Sequence, residues 1–322
     1  MISQSTPWLG ASVAVWALGL APVAAETCTV ELIVLGAGQD GGAPQIGNFD
    51  DRAWRDPELR LLPSSVAVVD HESGERFLFD ASPAITEQLA ILDGLVPPQN
   101  GPLGLSGVFL THAHMGHYAG LIQFGFEAAS TDDLRVFAMP RMGSFLKNNG
   151  PWSQLVEFDN IDIVELAADD ALQLNDDLSV TPLLVPHRDE FSETVGFVIN
   201  AGKTQALYLP DIDRWTEWER DYGRSIAQLA EQSTMIFVDA TFFDDGELPG
   251  RDMSKIPHPR VRATMELIEQ KAPEAAGRVH FIHYNHTNPI RDPQSEQSQE
   301  VLARGFNIAR RGDRHCLTTA AE

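Results

Sequence analysis

The pattern of apolar and polar positions divides this chain into two kinds of segment. Short runs rich in β-branched and aromatic residues predict strands, and they cover residues 29–35, 65–70, 76–80, 107–110, 134–139, 161–166, 178–185, 194–199, 205–209, 235–239 and 278–283. Longer segments with apolar residues three or four positions apart predict helices, and they cover residues 83–95, 118–128, 141–148, 215–232, 259–271 and 293–303. Because the two kinds interleave, we expect an α/β protein with two layered sheets covered by helices, a four-layer αββα sandwich.

The amino terminus has the features of an export signal. Residues 8–25 are apolar and end in the sequence APVAA, whose small residues suit cleavage before Glu26. No Lys or Arg precedes the apolar run, and an uncleaved membrane anchor is the alternative, but the run is short and contains Pro22. We therefore expect a signal peptide over residues 1–25 and a single domain over residues 26–322. The expected location is periplasmic or secreted, with no stable membrane association after cleavage.

Charge and cysteine content narrow the choice of partners. The chain has 46 acidic and 23 basic residues, so its surface repels polyphosphate. We therefore expect a small-molecule substrate and no nucleic acid, while the sequence leaves the oligomeric state open. The two cysteines, Cys28 and Cys316, lie near the ends of the chain. In an oxidising compartment they would form one disulfide, and two unpaired thiols are the alternative.

Histidines are concentrated in short clusters that follow predicted strands. His112, His114 and His117 come directly after the apolar run at 107–110. The others are His187, His258, His283 and His286. Imidazole is a common ligand of zinc and iron, so this clustering predicts a metal site at strand ends. His71, His280 and His315 lack such neighbours and are interpreted as structural.

The sequence H-A-H-M-G-H at 112–117 resembles the H-x-H-x-D-H signature of the metallo-β-lactamase superfamily. This resemblance implies the αββα fold and two metal positions that share Asp211. The first position would use His112, His114, His187 and Asp211, and the second would use His117, Asp211 and His283. Gly116 stands where the signature has a carboxylate, so we expect a tight first position and a weaker or absent second one.

Several of these residues have alternative interpretations. Asp213 lies two residues after Asp211 and would point to the same side of an extended chain, although either carboxylate could instead cap the following helix. His286 could supply the ligand that Gly116 does not, or it could only orient the turn that follows. His258 follows the sequence D-A-T-F at 239–242, and it is either a catalytic acid for the leaving group or a helix-entry residue.

Two further segments resemble one branch of this superfamily, the pyrroloquinoline quinone biosynthesis protein B branch. They are L-G-A-G-Q-D-G-G-A-P-Q at 35–45 and H-Y-N-H-T-N-P at 283–289. The biosynthetic members of that branch work in the cytoplasm and carry cysteines after the P-Q, whereas this chain has I-G-N-F at 46–49. We therefore expect a paralogue that acts on a different substrate.

The expected function is metal-dependent hydrolysis of an ester, a lactone or a phosphodiester-type small molecule. Zinc is the expected metal, as one or two ions, with iron or manganese as alternatives. A metal-bound hydroxide would attack the scissile group, and Asp211 and His258 would be the catalytic residues. Two other classes remain open. One is a mononuclear iron oxygenase-type enzyme related to pyrroloquinoline quinone biosynthesis, and the other is a non-catalytic metal-binding protein.

Overall fold

The structure, a computed structural model, describes residues 27–101 and 103–320, and the predicted signal peptide lies outside them. Fourteen strands of this part form two seven-stranded sheets. In chain order the strands are β1 Cys28–Gly36, β2 Ser65–Asp70, β3 Arg76–Phe79, β4 Gly107–Phe109, β5 Leu134–Ala138, β6 Ile161–Glu165, β7 Leu172–Gln173, β8 Leu178–Leu184, β9 Val195–Ala201, β10 Thr204–Leu209, β11 Met235–Asp239, β12 Val279–Ile282, β13 Asn307–Ile308 and β14 Arg314–Thr319.

Each sheet is antiparallel on one side and parallel on the other. The first sheet has the order β14-β1-β2-β3-β4-β5-β6 and is parallel from β3 to β6. The second has the order β13-β12-β11-β10-β9-β8-β7 and is parallel from β10 to β13. The carboxyl ends of parallel strands meet at one edge of a sheet, where ligands bind in open α/β folds. The loops after β3, β4, β10, β11 and β12 are therefore positioned to build one site.

Eight helices surround the sheets in the described part of the chain. They are α1 Ile85–Leu95, α2 Met115–Tyr118, α3 Pro140–Asn148, α4 Trp152–Glu157, α5 Trp215–Tyr222, α6 Ile226–Gln232, α7 Val261–Lys271 and α8 Glu296–Ala303. The helix predicted over 118–128 is instead the short α2 followed by a 3-10 segment, Ala119–Phe124. None of the helices in the described residues is long and apolar enough to cross a membrane.

Aromatic side chains join the two sheets at the centre of the molecule. Phe79 and Phe109 of the first sheet pack edge-on against Phe197 of the second, with ring centroids 5.6 and 5.5 Å apart. Tyr208 of β10 packs against Phe79 at 6.2 Å and is fully buried. Burying each of these rings stabilises the fold by about 2–3 kcal/mol. The hydroxyl of Tyr208 donates to Asp80 Oδ2 at 3.1 Å, so the core extends directly to the polar edge of the sheets.

The first and last described strands are linked covalently. Cys28 of β1 and Cys316 of β14 form a disulfide, with their Cα atoms 5.7 Å apart. The two strands are neighbours in the first sheet and pair antiparallel. Of the two alternatives that the sequence leaves open for these cysteines, the structure has the paired one.

Candidate metal centre

Three histidines and one carboxylate converge to form the first position. His112 follows β4, and its Nε2 lies 2.8 Å from Nδ1 of His114. His187 follows β8, and its Nε2 lies 3.2 Å from the same His114 atom and 3.7 Å from Asp211 Oδ1. The ligand atoms of the three histidines all lie within 4.8 Å of one another. The structure therefore brings together the four residues that the sequence predicts for the first position.

A second group of ligand atoms lies on the other side of Asp211. Its Oδ2 is 3.0 Å from His117 Nε2 and 3.1 Å from His283 Nε2, and His117 Nε2 is 3.7 Å from Asp40 Oδ1. All four atoms are buried, and none has a hydrogen bond of acceptable geometry within the described residues. Buried polar atoms without partners are costly. Two imidazole nitrogens and two carboxylate oxygens suit a divalent ion such as zinc.

Asp40 is the ligand candidate that sequence reasoning missed. A Cβ atom added to Gly116 would lie 2.5 Å from both Cα and Oδ1 of Asp40, which is too close for any side chain. The carboxylate therefore fills the space that the missing side chain at position 116 leaves. Asp40, from the loop after β1, is therefore a further ligand candidate for the second position, and the expected weaker or absent second site stays a prediction. In the sequence, Asp40 is marked only by lying in the segment 35–45, which resembles a motif of the pyrroloquinoline quinone biosynthesis protein B branch.

Second carboxylates orient two of the ligating rings. Asp80 is fully buried and accepts a hydrogen bond from His117 Nδ1 at 2.8 Å. Asp213 Oδ1 lies 2.9 Å from His187 Nδ1. Such outer partners fix the ring orientation and the tautomer of metal-binding histidines. The structure thus places Asp211 between the two positions and Asp213 behind His187. Threonine hydroxyls contact Nδ1 of the other two buried rings, Thr111 that of His112 at 3.0 Å and Thr241 that of His283 at 3.1 Å.

Burial and neighbouring charges set the protonation states of the buried ligand candidates. Burial lowers the pKa of His112 well below its usual range and also lowers the pKa of His283, so both rings are neutral at pH 7. Burial acts to raise the pKa of Asp211, but the neighbouring His283 and His117 outweigh it and hold the pKa well below its usual range. The pKa of His117 moves the other way: burial acts to lower it, but the carboxylates of Asp80 and Asp211 outweigh burial and raise it well above its usual range. The metal-free centre therefore pairs an ionised Asp211 with a protonated His117 beside the neutral rings of His112 and His283.

His258 lies at the rim of the centre. Its Nδ1 is 2.7 Å from Asp239 Oδ2 and 3.7 Å from Asp211 Oδ1. Burial acts to lower the pKa of His258, but the Asp239 and Asp211 carboxylates outweigh it and raise the pKa to about 9. Asp239, to which the sequence assigned no role, also accepts the backbone N–H of Thr241 at 2.8 Å. The ring is therefore close to the centre and carries a proton at neutral pH, and its role as catalytic acid stays a prediction.

His286 is not brought into either position. It belongs to none of the groups of potential ligands among the described residues. Asn285 N–H donates to Thr241 O, and the Asn285 side chain accepts the N–H of His286. The turn that these bonds fix directs His286 towards Arg291 and Asp51, whose charges act on its ring. The interpretation of His286 as a metal ligand is corrected accordingly.

A cavity of about 530 Å³ opens beside the second position. Asp40 and Met115 line it at the centre, and Arg60 and Glu87 are its other charged residues. The remaining walls are mostly apolar, from Ala43, Pro44, Ala53, Trp54, Leu61, Leu62, Pro63, Pro83 and Ala84. Asp40 is the ligand candidate that lines this cavity, so the cavity meets the second position at that residue.

Comparison with known proteins agrees with this geometry. The family model described as Beta-lactamase superfamily domain matches residues 75–284, which is more than half of the chain. This chain belongs to the β-lactamase superfamily. Coenzyme PQQ synthesis protein B of Rhizobium meliloti (strain 1021) is 27% identical to it over 310 residues, covering 88% of this chain and 96% of that protein. The predicted resemblance to this branch of the superfamily is confirmed.

Solved structures show the same β-lactamase superfamily fold. Zn²⁺-bound PqqB from Methylobacterium extorquens matches with a TM-score of 0.70 at 21% identity, covering 88% of this chain and 99% of that one. A diphosphatase from the PhnP family matches with a TM-score of 0.60 at 20% identity, covering 89% of this chain and 96% of that one. The predicted α/β sandwich of the metallo-β-lactamase fold is confirmed.

The predicted periplasmic or secreted location is wrong. Relatives that match 88% of this chain are coenzyme PQQ synthesis proteins B. The biosynthetic members of that branch work in the cytoplasm. The proposed signal peptide at residues 1–25 lies outside the described residues.

Proposed function

We propose that this chain is a metal-dependent hydrolase that acts on an ester, lactone or phosphodiester bond of a small molecule. The observation that carries this proposal is the position of Asp211. Its Oδ1 faces His187 of the first group, and its Oδ2 faces His117 and His283 of the second. A carboxylate shared in this way suits two divalent ions held side by side. When bound, such ions lower the pKa of a coordinated water to about 7 and polarise the scissile group.

The chain supplies a full ligand set for each of two zinc ions. His112, His114, His187 and Asp211 would hold one ion, and Asp40, His117, Asp211 and His283 would hold the other. The mixed nitrogen and oxygen set also accepts iron or manganese. Asp80 and Asp213 keep the rings of His117 and His187 turned towards the ions.

His258 is suited to protonate the leaving group. Asp239 holds its Nδ1 at 2.7 Å, and its Nε2 makes no hydrogen bond within the described residues. A protonated ring held in this way can donate from Nε2 to the leaving-group oxygen as the bond breaks. Asp239 stabilises the charged ring before the transfer.

The cavity beside the centre supports a small-molecule substrate. Its volume of about 530 Å³ and mostly apolar walls suit a compact organic molecule. The net charge of −23 opposes binding of nucleic acid.

The test is turnover of a panel of lactones, carboxylic esters and phosphodiesters by the zinc-loaded protein. We expect hydrolysis of one class by the wild type and loss of at least about 10³-fold in His112→Ala. His286→Ala is the matched control, a histidine outside both ligand groups, and should keep near-normal activity. Absence of turnover with every class, or equal turnover by His112→Ala, would contradict the proposal.

A redox function related to pyrroloquinoline quinone synthesis is the second candidate. It is favoured by the curated relatives, which are coenzyme PQQ synthesis proteins over 88% of the chain. An iron-loaded sample that consumes oxygen only in the presence of substrate, and stops under anaerobic conditions, would support it over hydrolysis. Turnover in either assay excludes a purely metal-binding role.

A further inference from the structure

A second, smaller cavity carries an unusual concentration of positive charge. It has a volume of about 160 Å³ and shares Arg60, Leu61 and Leu62 with the cavity at the metal centre. Arg291, Arg310 and Arg311 also line it, so four arginines meet in one cavity of a chain with twice as many acidic as basic residues. The net negative charge of the protein therefore does not extend to this cavity.

Arg310 is a half-buried cation that has no carboxylate partner. Its guanidinium donates to the Tyr284 hydroxyl at 3.3 Å and to the carbonyls of Ile290 at 2.7 Å and Arg291 at 3.1 Å. No carboxylate lies within 4.0 Å of it among residues 27–101 and 103–320. Neutral acceptors fix the group in place, but they give its charge no direct ion pair.

Arg311 and Arg60 share a single counter-ion. Glu87 lies 3.7 Å from Arg311 and 3.3 Å from Arg60. Arg311 makes no side-chain hydrogen bond in the described part of the chain, so its donors are free to bind a ligand. Arg291, in contrast, is fully paired with Asp51.

Ion pairing in the cavity is therefore incomplete. Asp51 pairs with Arg291, and Glu87 is shared by Arg60 and Arg311, while Asp292 acts on Arg310 only from beyond 4.0 Å. The planar donors of such incompletely paired guanidinium groups fit an oxyanion.

We propose that this cavity binds a small oxyanion, a phosphate or a carboxylate group, through Arg310, Arg311 and Arg60. The site is separate from the metal centre and does not depend on the proposed hydrolase activity. Tyr284 lines it and directly follows the ligand candidate His283, and Arg310 holds the carbonyls of Ile290 and Arg291. A bound anion would therefore stabilise the loop at 283–291 against opening.

The test measures the thermal unfolding midpoint of the zinc-loaded protein in potassium phosphate and in potassium chloride of equal ionic strength. We expect phosphate to raise the midpoint of the wild type and of Arg251→Gln, an exposed arginine with no ion pair in the described residues. The shift should fall to less than about half in Arg311→Gln, which loses no hydrogen bond of the fold.

Phosphate that binds at the metal centre would stabilise the wild type, Arg251→Gln and Arg311→Gln alike, so the smaller shift of Arg311→Gln reports this site. Arg60 lines both cavities, so Arg60→Gln is read together with Arg251→Gln. Arg60→Gln, a mostly exposed residue, provides a second measurement should Arg311→Gln fold poorly. A series with citrate in place of phosphate separates the two ligand classes, and a shift that needs Arg311 with either anion supports the proposal. An equal shift in wild type, Arg311→Gln and Arg60→Gln, or no shift in the wild type, would overturn it.

Discussion

Asp40 and Gly116 depend on each other, although 76 positions separate them in the chain. The Asp40 carboxylate takes the position of a ligand beside His117 and His283. It can do so only because residue 116 has no side chain, since a Cβ there would lie 2.5 Å from Asp40. The carboxylate that is missing at position 116 thus has a counterpart in Asp40, a ligand candidate on another loop.

Replacing Gly116 by alanine should therefore damage the second position selectively. The methyl group would displace the backbone and carboxylate of Asp40, and we expect the affinity for the second zinc ion to fall at least about 10-fold with the first unchanged. Competition with a chromophoric chelator measures both affinities. In the double variant Asp40→Gly with Gly116→Asp, the clash is gone and a carboxylate returns, so part of the affinity should be regained. An unchanged second affinity in Gly116→Ala would show that Asp40 is not a ligand.

Asp80 should control metal affinity without touching a metal. It accepts hydrogen bonds from His117 Nδ1, from the backbone N–H and hydroxyl of Thr111, and from Tyr208. Asp80→Asn puts an amide NH₂ group, a donor, where a carboxylate oxygen accepts these hydrogen bonds. We expect zinc affinity to fall by about 10–100-fold. The same chelator competition reports it. Asp245→Asn, at an exposed carboxylate, is the control, and equal affinities in the two variants would contradict this role.

At the scale of elements, the strands were predicted well and the helix boundaries less well. The strands predicted at 65–70 and 235–239 have the observed bounds, because a fully buried strand is a continuous apolar run. The helix predicted over 215–232 is two helices, because Gly223 has φ 65° and ends α5 in the left-handed conformation. Apolar spacing continues across this break, so periodicity alone does not reveal it.

Gly223 should therefore be costly to replace. Nothing lies within 4 Å of a Cβ placed on it, so the cost of Gly223→Ala is conformational, about 1 kcal/mol in the free energy of unfolding. Gly94 of α1 is the matched control, because it also has open space but no positive φ. Gly94→Ala should stabilise by about 0.5–1 kcal/mol. Urea unfolding of both variants measures the two values, and changes of the same sign would contradict this explanation.

The sequence was sufficient to predict the ligand candidates that lie at strand ends. It was not sufficient for residues whose position depends on the path of a loop. His112, His187 and Asp211 come just after predicted strands, and His283 is the last residue of one. The fold that the resemblance implied was therefore enough to group them. Asp40 reaches the site through a glycine-rich loop, and only the three-dimensional path of that loop shows it. His286 was misassigned for the same reason, since the turn at 285–288 decides where its ring points.

Glu247 couples two of these loops and should make stability depend on pH. Its carboxylate accepts the backbone N–H of Phe243 at 2.7 Å and the hydroxyl of Thr287. Burial raises the pKa of Glu247 to about 7 from 4.5. The folded state therefore holds a proton that the unfolded state releases between these values, so this contribution to stability is present below about pH 4.5 and lost as the pH rises through 7.

Glu247→Gln removes this titration. We consider the free energy of unfolding of the variant minus that of the wild type. This difference should be more positive at about pH 8 than at about pH 5, by up to about 3 kcal/mol. Denaturant unfolding of both proteins at the two pH values measures the difference. A difference that does not change with pH, or that changes in the opposite direction, would contradict the assignment.

At the scale of the whole molecule, the centre lies where the two sheets meet. Asp40, His112 and His117 follow strands of the first sheet, and His187, Asp211 and His283 follow strands of the second. Bound ions would therefore link the two sheets through their loops, with the aromatic core beneath. Asp211 is common to both positions, so two ions bound to one chain would share it.

The zinc content of the purified protein tests this arrangement most directly. After loading with zinc and removal of loosely bound metal, we predict about two zinc ions per chain for the wild type and about one for Asp40→Asn, measured by mass spectrometry of the metal against protein concentration. A wild type that holds a single zinc ion, with Asp40→Asn unchanged from it, would contradict the account.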